Sequence, residues 1–239
     1  MNGGGSGNSS QGGAAPSHHR VFVPLCGKTP DLAWLADQKH QVVGVEGIEK
    51  AVYELQKESW LSLQKSHVPY PRDDHGAEFI PAAKWEGAKR GYMFTTGEKG
   101  LGYYTDPYGR DTMAVFADAK KPLTVVCADF FRLTPAIVGE FSRIWDRASL
   151  VAVPPEAQEA YVDICDNVLL KGGKILLVTL EYDQSKVNGP PFSINEKQVK
   201  ALYEPRGYNV QLLEREQLGI AEHFCSSSPH HNIALMTWP

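Results

Sequence analysis

The sequence predicts a doubly wound α/β fold with a mostly parallel sheet, because short apolar strands alternate with helical segments along most of the chain. The first unit begins at Val21, where an apolar run is followed by a turn at Gly27 and a helix start at Pro30. A second buried strand, Gln41–Glu46, ends on a carboxylate and completes a βαβ unit. A TIM barrel would need eight βα units, more than this sequence contains.

The later elements follow the same alternation, with one irregular stretch. Apolar residues at helical spacing predict a second helix over 48–64, which prolines then interrupt. From 68 to 121, aromatic and polar residues alternate between glycine turns, which predicts short antiparallel strands inserted into the parallel pattern. Further strands are predicted at 123–129, 142–146, 174–181, 208–214 and 232–238, and further helices from Pro135, over 155–170 and over 195–203.

Composition narrows the classes of function. The chain has 239 residues, of which 42% are hydrophobic and 22% charged, as in an ordinary globular domain. Its 24 basic and 28 acidic residues give a net charge of −4, which argues against a nucleic-acid partner. No apolar run approaches the roughly 20 residues of a membrane span. We therefore expect a cytoplasmic protein that binds neither nucleic acid nor membrane, and we expect it to be a monomer.

The cysteines support the same compartment. Cys26, Cys127, Cys165 and Cys225 lie far apart, without the spacing of a metal-binding pair or of a disulfide framework. Buried free thiols in a reducing compartment are the simplest interpretation.

The chain is expected to divide into a leader and one folded domain. Residues 1–19 are rich in Gly, Ser, Asn and Gln, so a disordered, low-complexity leader is expected there. Residues 20–239 would form the domain, with 68–121 as its insertion.

A ligand site is expected at the carboxyl ends of the strands, where doubly wound folds bind their ligands. Gly27 would let a ligand approach the backbone, and Glu46, about 20 residues later, is placed like the acid that holds ribose hydroxyls. The turn lacks the G-x-G-x-x-G pattern of diphosphate binding, so a nucleoside without a diphosphate fits better.

Four motifs in chain order resemble one family. They are Val-Phe-Val-Pro-Leu-Cys-Gly-Lys at 21–28, Val-Val-Gly-Val-Glu at 42–46, Ile-Trp-Asp-Arg-Ala-Ser-Leu-Val-Ala at 144–152, and Tyr-Asp-Gln-Ser with Gly-Pro-Pro-Phe within 182–192. Together they resemble the thiopurine S-methyltransferase family. The resemblance implies a Rossmann-like class I methyltransferase fold with a mostly parallel seven-stranded sheet. It also implies methyl transfer from S-adenosyl-L-methionine, leaving S-adenosyl-L-homocysteine, to the sulfur of a small, aromatic or heterocyclic thiol.

The resemblance also implies roles for single residues. Leu25 and Gly27 would line the methionine part of the cofactor with their backbone, and Glu46 would hold its ribose. The adenine would lie against a backbone amide at Ala128, the carboxylate of Asp129 and the ring of Phe130.

On the substrate side, the resemblance places Arg147 at the pocket, where its guanidinium would orient the thiol and border the cofactor. Asp146 would lie at the same pocket and would chiefly position the loop that carries Arg147. Thiols ionise near pH 8.5, and aromatic ones more readily, so no side chain is expected to act as an essential base or nucleophile.

Each of these residues also has a plainer interpretation. Cys26 could pack structurally or be a catalytic thiol, and packing is preferred because a catalytic thiol would require ping-pong chemistry. Glu46 could be a solvated strand end, Asp129 a turn residue, and Arg147 part of an ion pair with Asp146 or a neighbouring loop. Two further groups of residues also allow two interpretations. The aromatic residues of the insertion could wall a pocket or form its core, and the core is preferred for most of Trp85, Phe94, Tyr103, Tyr104 and Tyr108. His230 and His231 would be loop residues, and no metal is expected.

Two departures from the family leave a second class of function open. The leader stands where the family has helical sequence with aromatic residues that cover the cofactor, and the 68–121 insertion is longer than the family's. The insertion could replace this lid, or the chain could be a non-catalytic cofactor-binding or interaction module that lacks it. A nucleotide-dependent oxidoreductase is disfavoured by the missing glycine fingerprint.

Overall fold

A computed structural model describes residues 18–70, 77–86, 89, 92–105, 112–186, 188–217 and 230–237. Most of the expected leader therefore lies outside the described residues, as do Tyr108, Cys225 and Trp238. The described strands form two separate sheets, one of nine strands and one of three.

The strands are β1 (Arg20–Val23), β2 (Gln41–Glu46), β3 (Leu63–Pro69), β4 (Phe79–Pro81), β5 (Tyr92–Gly97), β6 (Gly100–Thr105), β7 (Thr112–Asp118), β8 (Leu123–Cys127), β9 (Phe141–Arg147), β10 (Leu169–Glu181), β11 (Asn209–Gln217) and β12 (His230–Thr237). The α-helices are α1 (Asp31–Asp37), α2 (Glu49–Glu58), α3 (Pro135–Val138), α4 (Gln158–Val168) and α5 (Glu196–Tyr203).

The centre of the large sheet is parallel, as the sequence predicts. Strands β10, β9, β1, β2 and β8 pair in parallel, and β12 and β11 continue the sheet on one side through antiparallel pairs. These are the seven strands expected. On the other side the described sheet gains β7 and β3, which pair antiparallel to β8 and to each other. The sheet is therefore wider than predicted, because part of the insertion extends it.

Apolar side chains cover both faces of the sheet, which explains why the strands are apolar almost throughout. Along β1, Phe22 belongs to one core cluster, with Ile144 and Tyr161, whereas Val21 and Val23 belong to a second cluster with residues of α1 and α2. This alternation is the two-residue period of a strand. The carboxyl ends of the parallel strands are thereby fixed relative to one another.

The predicted helix over 48–64 is wrong in its second half. The helix α2 ends at Glu58, Trp60 adopts a positive φ of 53°, and the chain then enters β3 at Leu63. The apolar positions Leu61 and Leu63 continue the helical spacing by coincidence. Their structure is decided by pairing with β7, about 50 residues away in sequence, which no local pattern reveals.

The predicted helix over 155–170, which the glycine pair at 172–173 follows, also has the wrong end. The helix α4 ends at Val168, and β10 begins directly at Leu169. Gly172 adopts a φ of 76° inside an irregularity of the strand, and regular pairing with β9 resumes at Lys174. The glycines therefore accommodate a bulge in β10, where residues without a Cβ atom are needed.

Candidate active site

The turn after β1 has an unusual backbone. Leu25 and Gly27 both adopt positive φ angles, of 39° and 51°. Between them, the Cys26 amide donates a hydrogen bond to the Val45 carbonyl at 2.8 Å, which holds the turn against β2. A Cβ atom at Gly27 would have no neighbour within 4 Å, so the backbone there borders open space. A ligand can therefore approach the main chain of this turn closely.

Glu46 lies beside the turn after β1. Its Oε2 accepts a hydrogen bond from the Gly27 amide at 2.9 Å, and its Oε1 accepts one from the Ile48 amide, also at 2.9 Å. A carboxylate has about four acceptor positions, so roughly two remain for a ligand. Glu46 is half-buried at the end of β2, and it joins the end of this strand to the turn after β1.

The end of β8 lies beside Glu46, but its three predicted residues are placed differently from one another. The Ala128 amide donates to the Glu46 carbonyl at 3.1 Å and is thus already used. Asp129 is exposed, and its Oδ1 accepts from the Phe131 amide at 3.0 Å, so it begins a short 3-10 turn and keeps Oδ2 available.

Phe130 lies in the core. Its ring is 3% exposed and stacks on Tyr161 with the ring centroids 4.8 Å apart. Phe131, which the sequence analysis missed, is 45% exposed and packs edge-on against Phe130. The 3-10 turn leaves Phe130 buried and Phe131 exposed, so the exposed aromatic face of this turn belongs to Phe131. This corrects the expectation that the Phe130 ring and the Ala128 amide face the ligand.

Asp146 lies beneath the site and has no exposed surface. Its Oδ2 accepts from the Tyr161 hydroxyl at 2.7 Å and its Oδ1 from the Leu150 amide at 3.2 Å. Burial raises the pKa of Asp146 to about 6, although the hydrogen bonds from Tyr161 and Leu150 act in the opposite direction. This corrects its assignment as a substrate-contacting residue: Asp146 positions the loop after β9, the role already favoured for it.

The loop after β9 is also tied to the turn after β1. The Ser149 hydroxyl donates to the Pro24 carbonyl at 2.6 Å, and Ala148 adopts a positive φ of 67°. Left-handed backbone thus occurs at Leu25 and at Ala148, which follow the neighbouring strands β1 and β9 at the same end of the sheet. Such strain is concentrated at functional sites in proteins.

Arg147 reaches across to the first turn of α1. Its Nε donates to Asp31 Oδ2 at 2.5 Å and its Nη2 donates to Thr29 Oγ1 at 3.0 Å, while 46% of the side chain stays exposed. An ion pair of Arg147 with Asp146 or a neighbouring loop was considered from the sequence, but its acidic partner is Asp31, in the first turn of α1. Nothing in the sequence distinguishes Asp31, because an acid in the first turn of a helix is ordinary.

Cys26 packs in the core, as preferred. It is 5% exposed, and burial raises the pKa of its thiol far above the usual value, with the Glu46 charge adding to the shift. The thiol therefore stays protonated and cannot serve as a nucleophile at neutral pH.

The aromatic residues of the insertion largely pack on one another. Tyr103 is buried, lies 5.0 Å from Phe94 between ring centroids, and accepts a hydrogen bond from the Glu86 amide. Tyr104 packs on Phe79 at 4.7 Å. Trp85 is the exception in the described part of this set, because its side chain is 62% exposed.

Two further predictions concern metals and membranes. Within the described ranges, no three His, Cys, Asp or Glu residues are grouped as metal ligands, and the described helices are all too short or too polar to cross a bilayer. His230 and His231 begin strand β12, so their placement in a loop is wrong.

Known proteins resemble this chain both in sequence and in fold. The family model of thiopurine S-methyltransferases matches residues 9–76 and 98–230 and leaves 77–97 unmatched. A thiopurine S-methyltransferase from Legionella pneumophila (strain Philadelphia 1) is 33% identical over 202 residues, which cover 84% of this chain and 71% of that protein. The rat enzyme of the same name is 34% identical over 195 residues, covering 82% of this chain and 65% of that protein.

Solved structures of low identity share the fold. An S-adenosylmethionine-dependent methyltransferase from Methanosarcina mazei superposes with a TM-score of 0.54 at 11% identity and covers 92% of both chains. The 1,6-didemethyltoxoflavin-N1-methyltransferase from Burkholderia thailandensis, solved with S-adenosylhomocysteine, gives a TM-score of 0.51 at 12% identity, covering 92% of this chain and 71% of that one. The expected Rossmann-like methyltransferase fold is therefore confirmed.

Proposed function

Because this chain belongs to the thiopurine S-methyltransferase family, we propose that it methylates the sulfur of a small aromatic or heterocyclic thiol. Family and fold together make it an S-adenosylmethionine-dependent S-methyltransferase. The nature of the acceptor is the proposed part.

The cofactor would lie in the crevice at the ends of β1, β2 and β8. The single observation that carries this assignment is the Glu46 carboxylate, which is anchored by the Gly27 and Ile48 amides and still has free acceptor positions beside an open glycine backbone. Two ribose hydroxyls are donors that such a carboxylate can accept. The backbone of Leu25 and Gly27 would border the methionine part.

The adenine would lie at the end of β8. Asp129 keeps one carboxylate oxygen available for an exocyclic amine, and the exposed ring of Phe131 offers the flat apolar surface first predicted for Phe130. Ala128 and Phe130 would support this surface from below through their backbone and core contacts.

The reaction would need little from the protein beyond orientation. When bound, S-adenosylmethionine supplies the methyl group on a sulfonium centre. The Arg147 guanidinium, half exposed at the end of β9, would orient the thiol and favour its anionic form. Cys26 stays protonated and Asp146 is fully buried, so neither can take a proton from a thiol in the crevice. Aromatic thiols ionise readily near neutral pH, so we expect the thiol proton to pass to water before the methyl is transferred.

Substitution of Glu46 tests the cofactor site. In Glu46→Gln, an amide NH₂ replaces one acceptor, so we expect the Kd for S-adenosylhomocysteine to rise about 10-fold or more, the usual value of a hydrogen bond to a charged group. Isothermal titration calorimetry measures this constant. The matched control is Glu58→Gln, whose carboxylate lies in an exposed ion pair with Lys28 and should leave the Kd unchanged. Equal Kd values for Glu46→Gln and wild type would remove the proposed site.

Methyl transfer to thiophenol and to a mercaptopurine tests the acceptor. Transfer of labelled methyl from S-adenosylmethionine to either thiol is the expected result. Cofactor binding without turnover on any thiol would instead support the non-catalytic module.

We further propose that the insertion over 68–121 acts as the lid of the crevice. Its strands β4, β5 and β6 form a small sheet apart from the large one, and its segment 77–97 has no counterpart in the family model. The Thr105 amide donates to the Glu78 carbonyl at 3.3 Å, so the two ends of this sheet are adjacent and a short Gly-Ser linker can replace residues 79–104. This deletion should raise the Kd for S-adenosylhomocysteine, and an unchanged Kd would contradict the lid.

Cytoplasmic residence and a monomeric state complete the proposal. The free thiols of Cys26, Cys127 and Cys165 suit a reducing compartment. Light scattering coupled to size-exclusion chromatography would test the monomer.

A further inference from the structure

The orientation of Arg147 depends on two residues that precede or begin α1. Asp31 Oδ2 accepts from Arg147 Nε at 2.5 Å, and Thr29 Oγ1 accepts from Arg147 Nη2 at 3.0 Å. These bonds occupy adjacent edges of one planar guanidinium. Among the described residues, Nη1 has no partner and remains for a ligand.

Asp31 also holds the strand from which Arg147 projects. The same Oδ2 atom accepts from the indole Nε1 of Trp145 at 2.9 Å. Trp145 and Arg147 are alternate residues of β9 and therefore lie on one face of the sheet, opposite Asp146. The Asp31 side chain is 19% exposed, so one partly desolvated carboxylate fixes both donors.

We propose that Asp31 is a positioning residue for thiol binding, which acts by fixing the guanidinium of Arg147. The inference rests on the proposed function, because it takes Arg147 as the group that orients the thiol. An arginine side chain is flexible, and immobilising it on binding has an entropic cost that a preformed ion pair removes. From the usual size of that cost, releasing Arg147 should weaken thiol binding about 3- to 10-fold.

Asp31→Asn is the direct test, since it keeps the shape and removes the charge and one acceptor oxygen. Its matched control is Asp37→Asn, at the other end of α1, where the carboxylate forms an exposed ion pair with Lys121 at 2.8 Å. Both variants lose one ion pair of the same helix, and Asp31 alone contacts Arg147. The full-length protein is used throughout.

Steady-state kinetics with thiophenol should separate positioning from stability. We expect Asp31→Asn to raise the KM for the thiol about 3- to 10-fold with kcat within about twofold of wild type, and Asp37→Asn to change neither. In an Arg147→Ala background, Asp31→Asn should have no further effect, because nothing is left to position. A lower kcat at unchanged KM, or an equal effect in both backgrounds, would show a structural role and overturn the inference.

A second measurement does not depend on turnover. In nitrogen-15 spectra of the arginine side chains, the Arg147 Nε–H signal is assigned by its loss in Arg147→Lys. In both wild type and Asp37→Asn it should lie apart from the signals of solvent-exposed arginines. In Asp31→Asn it should move to the position of solvent-exposed arginines. An unmoved signal would overturn the inference while leaving the proposed function intact.

The two hypotheses fail in distinguishable ways. If the signal moves but wild type methylates no thiol, the proposed function is wrong and the role of Asp31 in thiol binding falls with it. If wild type is active but Arg147→Ala has the wild-type KM, Arg147 does not orient the thiol and the inference is overturned alone.

Discussion

The ends of β8 and β9 share one arrangement built from different chemistry. At each end a buried residue is followed by an exposed one: Phe130 by Phe131 after β8, and Asp146 by Arg147 at the end of β9. After β8 the buried member is an aromatic ring held by packing, whereas in β9 it is a carboxylate held by hydrogen bonds. The exposed members therefore rest on a hydrophobic support on the proposed cofactor side and on a polar support on the proposed substrate side.

Adjacent residues of one motif can therefore have unequal roles. The packing of the Phe130 ring does not depend on pH, because phenylalanine has no titratable group. The β9 end depends on a carboxylate whose burial is unfavourable when it is charged. The two ends should therefore respond differently to truncation and to proton concentration.

The largest effect is expected from truncation at the β8 end. Phe130→Ala removes a buried ring and should lower the free energy of unfolding by about 3–5 kcal/mol. Phe131→Ala removes an exposed ring and should lower it by less than about 1 kcal/mol, while raising the Kd for S-adenosylhomocysteine about 10-fold through lost stacking. Urea unfolding and calorimetry measure the two quantities. The assignment of support and contact surface would be reversed if Phe130→Ala weakened binding without destabilising the protein.

A smaller change in the free energy of unfolding, which depends on pH, is expected at the β9 end. The folded pKa of Asp146, about 6, is raised above its usual value of 3.8, so the folded state holds this proton more tightly than the unfolded state. The resulting stability is fully present below about pH 4 and is lost as pH rises through 6. A shift of about two pKa units corresponds to about 3 kcal/mol.

Comparison with Asp146→Asn isolates this contribution. The variant has no titrating group at the position, while the other carboxylates are unchanged. The free energy of unfolding of wild type minus that of Asp146→Asn, from urea unfolding, should fall by about 3 kcal/mol between pH 3 and pH 7. A difference that is constant across this range would mean that Asp146 titrates normally.

Local patterns were sufficient for the parallel centre of the fold. The apolar run ending in the Gly27 turn and the strand ending at Glu46 were both predictable, because they depend on nearby residues. The strand at Leu63 was not, since its pairing partner in β7 lies about 50 residues later. The same reason applies to the extra width of the sheet.

Within the site, the sequence identified backbone features better than side-chain directions. Two consecutive phenylalanines give no indication of which one is buried, and the 3-10 turn after Asp129 decides it. Asp31 had no recognisable signal, because its two donors lie 114 and 116 residues away in sequence. Long-range contacts of this kind require the fold to be known first.

Tyr161 on α4 supports both ends at once. Its ring stacks on Phe130, with an angle of 19° between the planes, and its hydroxyl donates to Asp146. Phenylalanine at this position would keep the stack and lose the bond, and a smaller polar residue would lose the stack. Tyrosine supplies a flat ring and a donor at this reach together, so the substitutions that this position tolerates are limited from two directions. Variation in either half of the crevice must remain compatible with the same phenol.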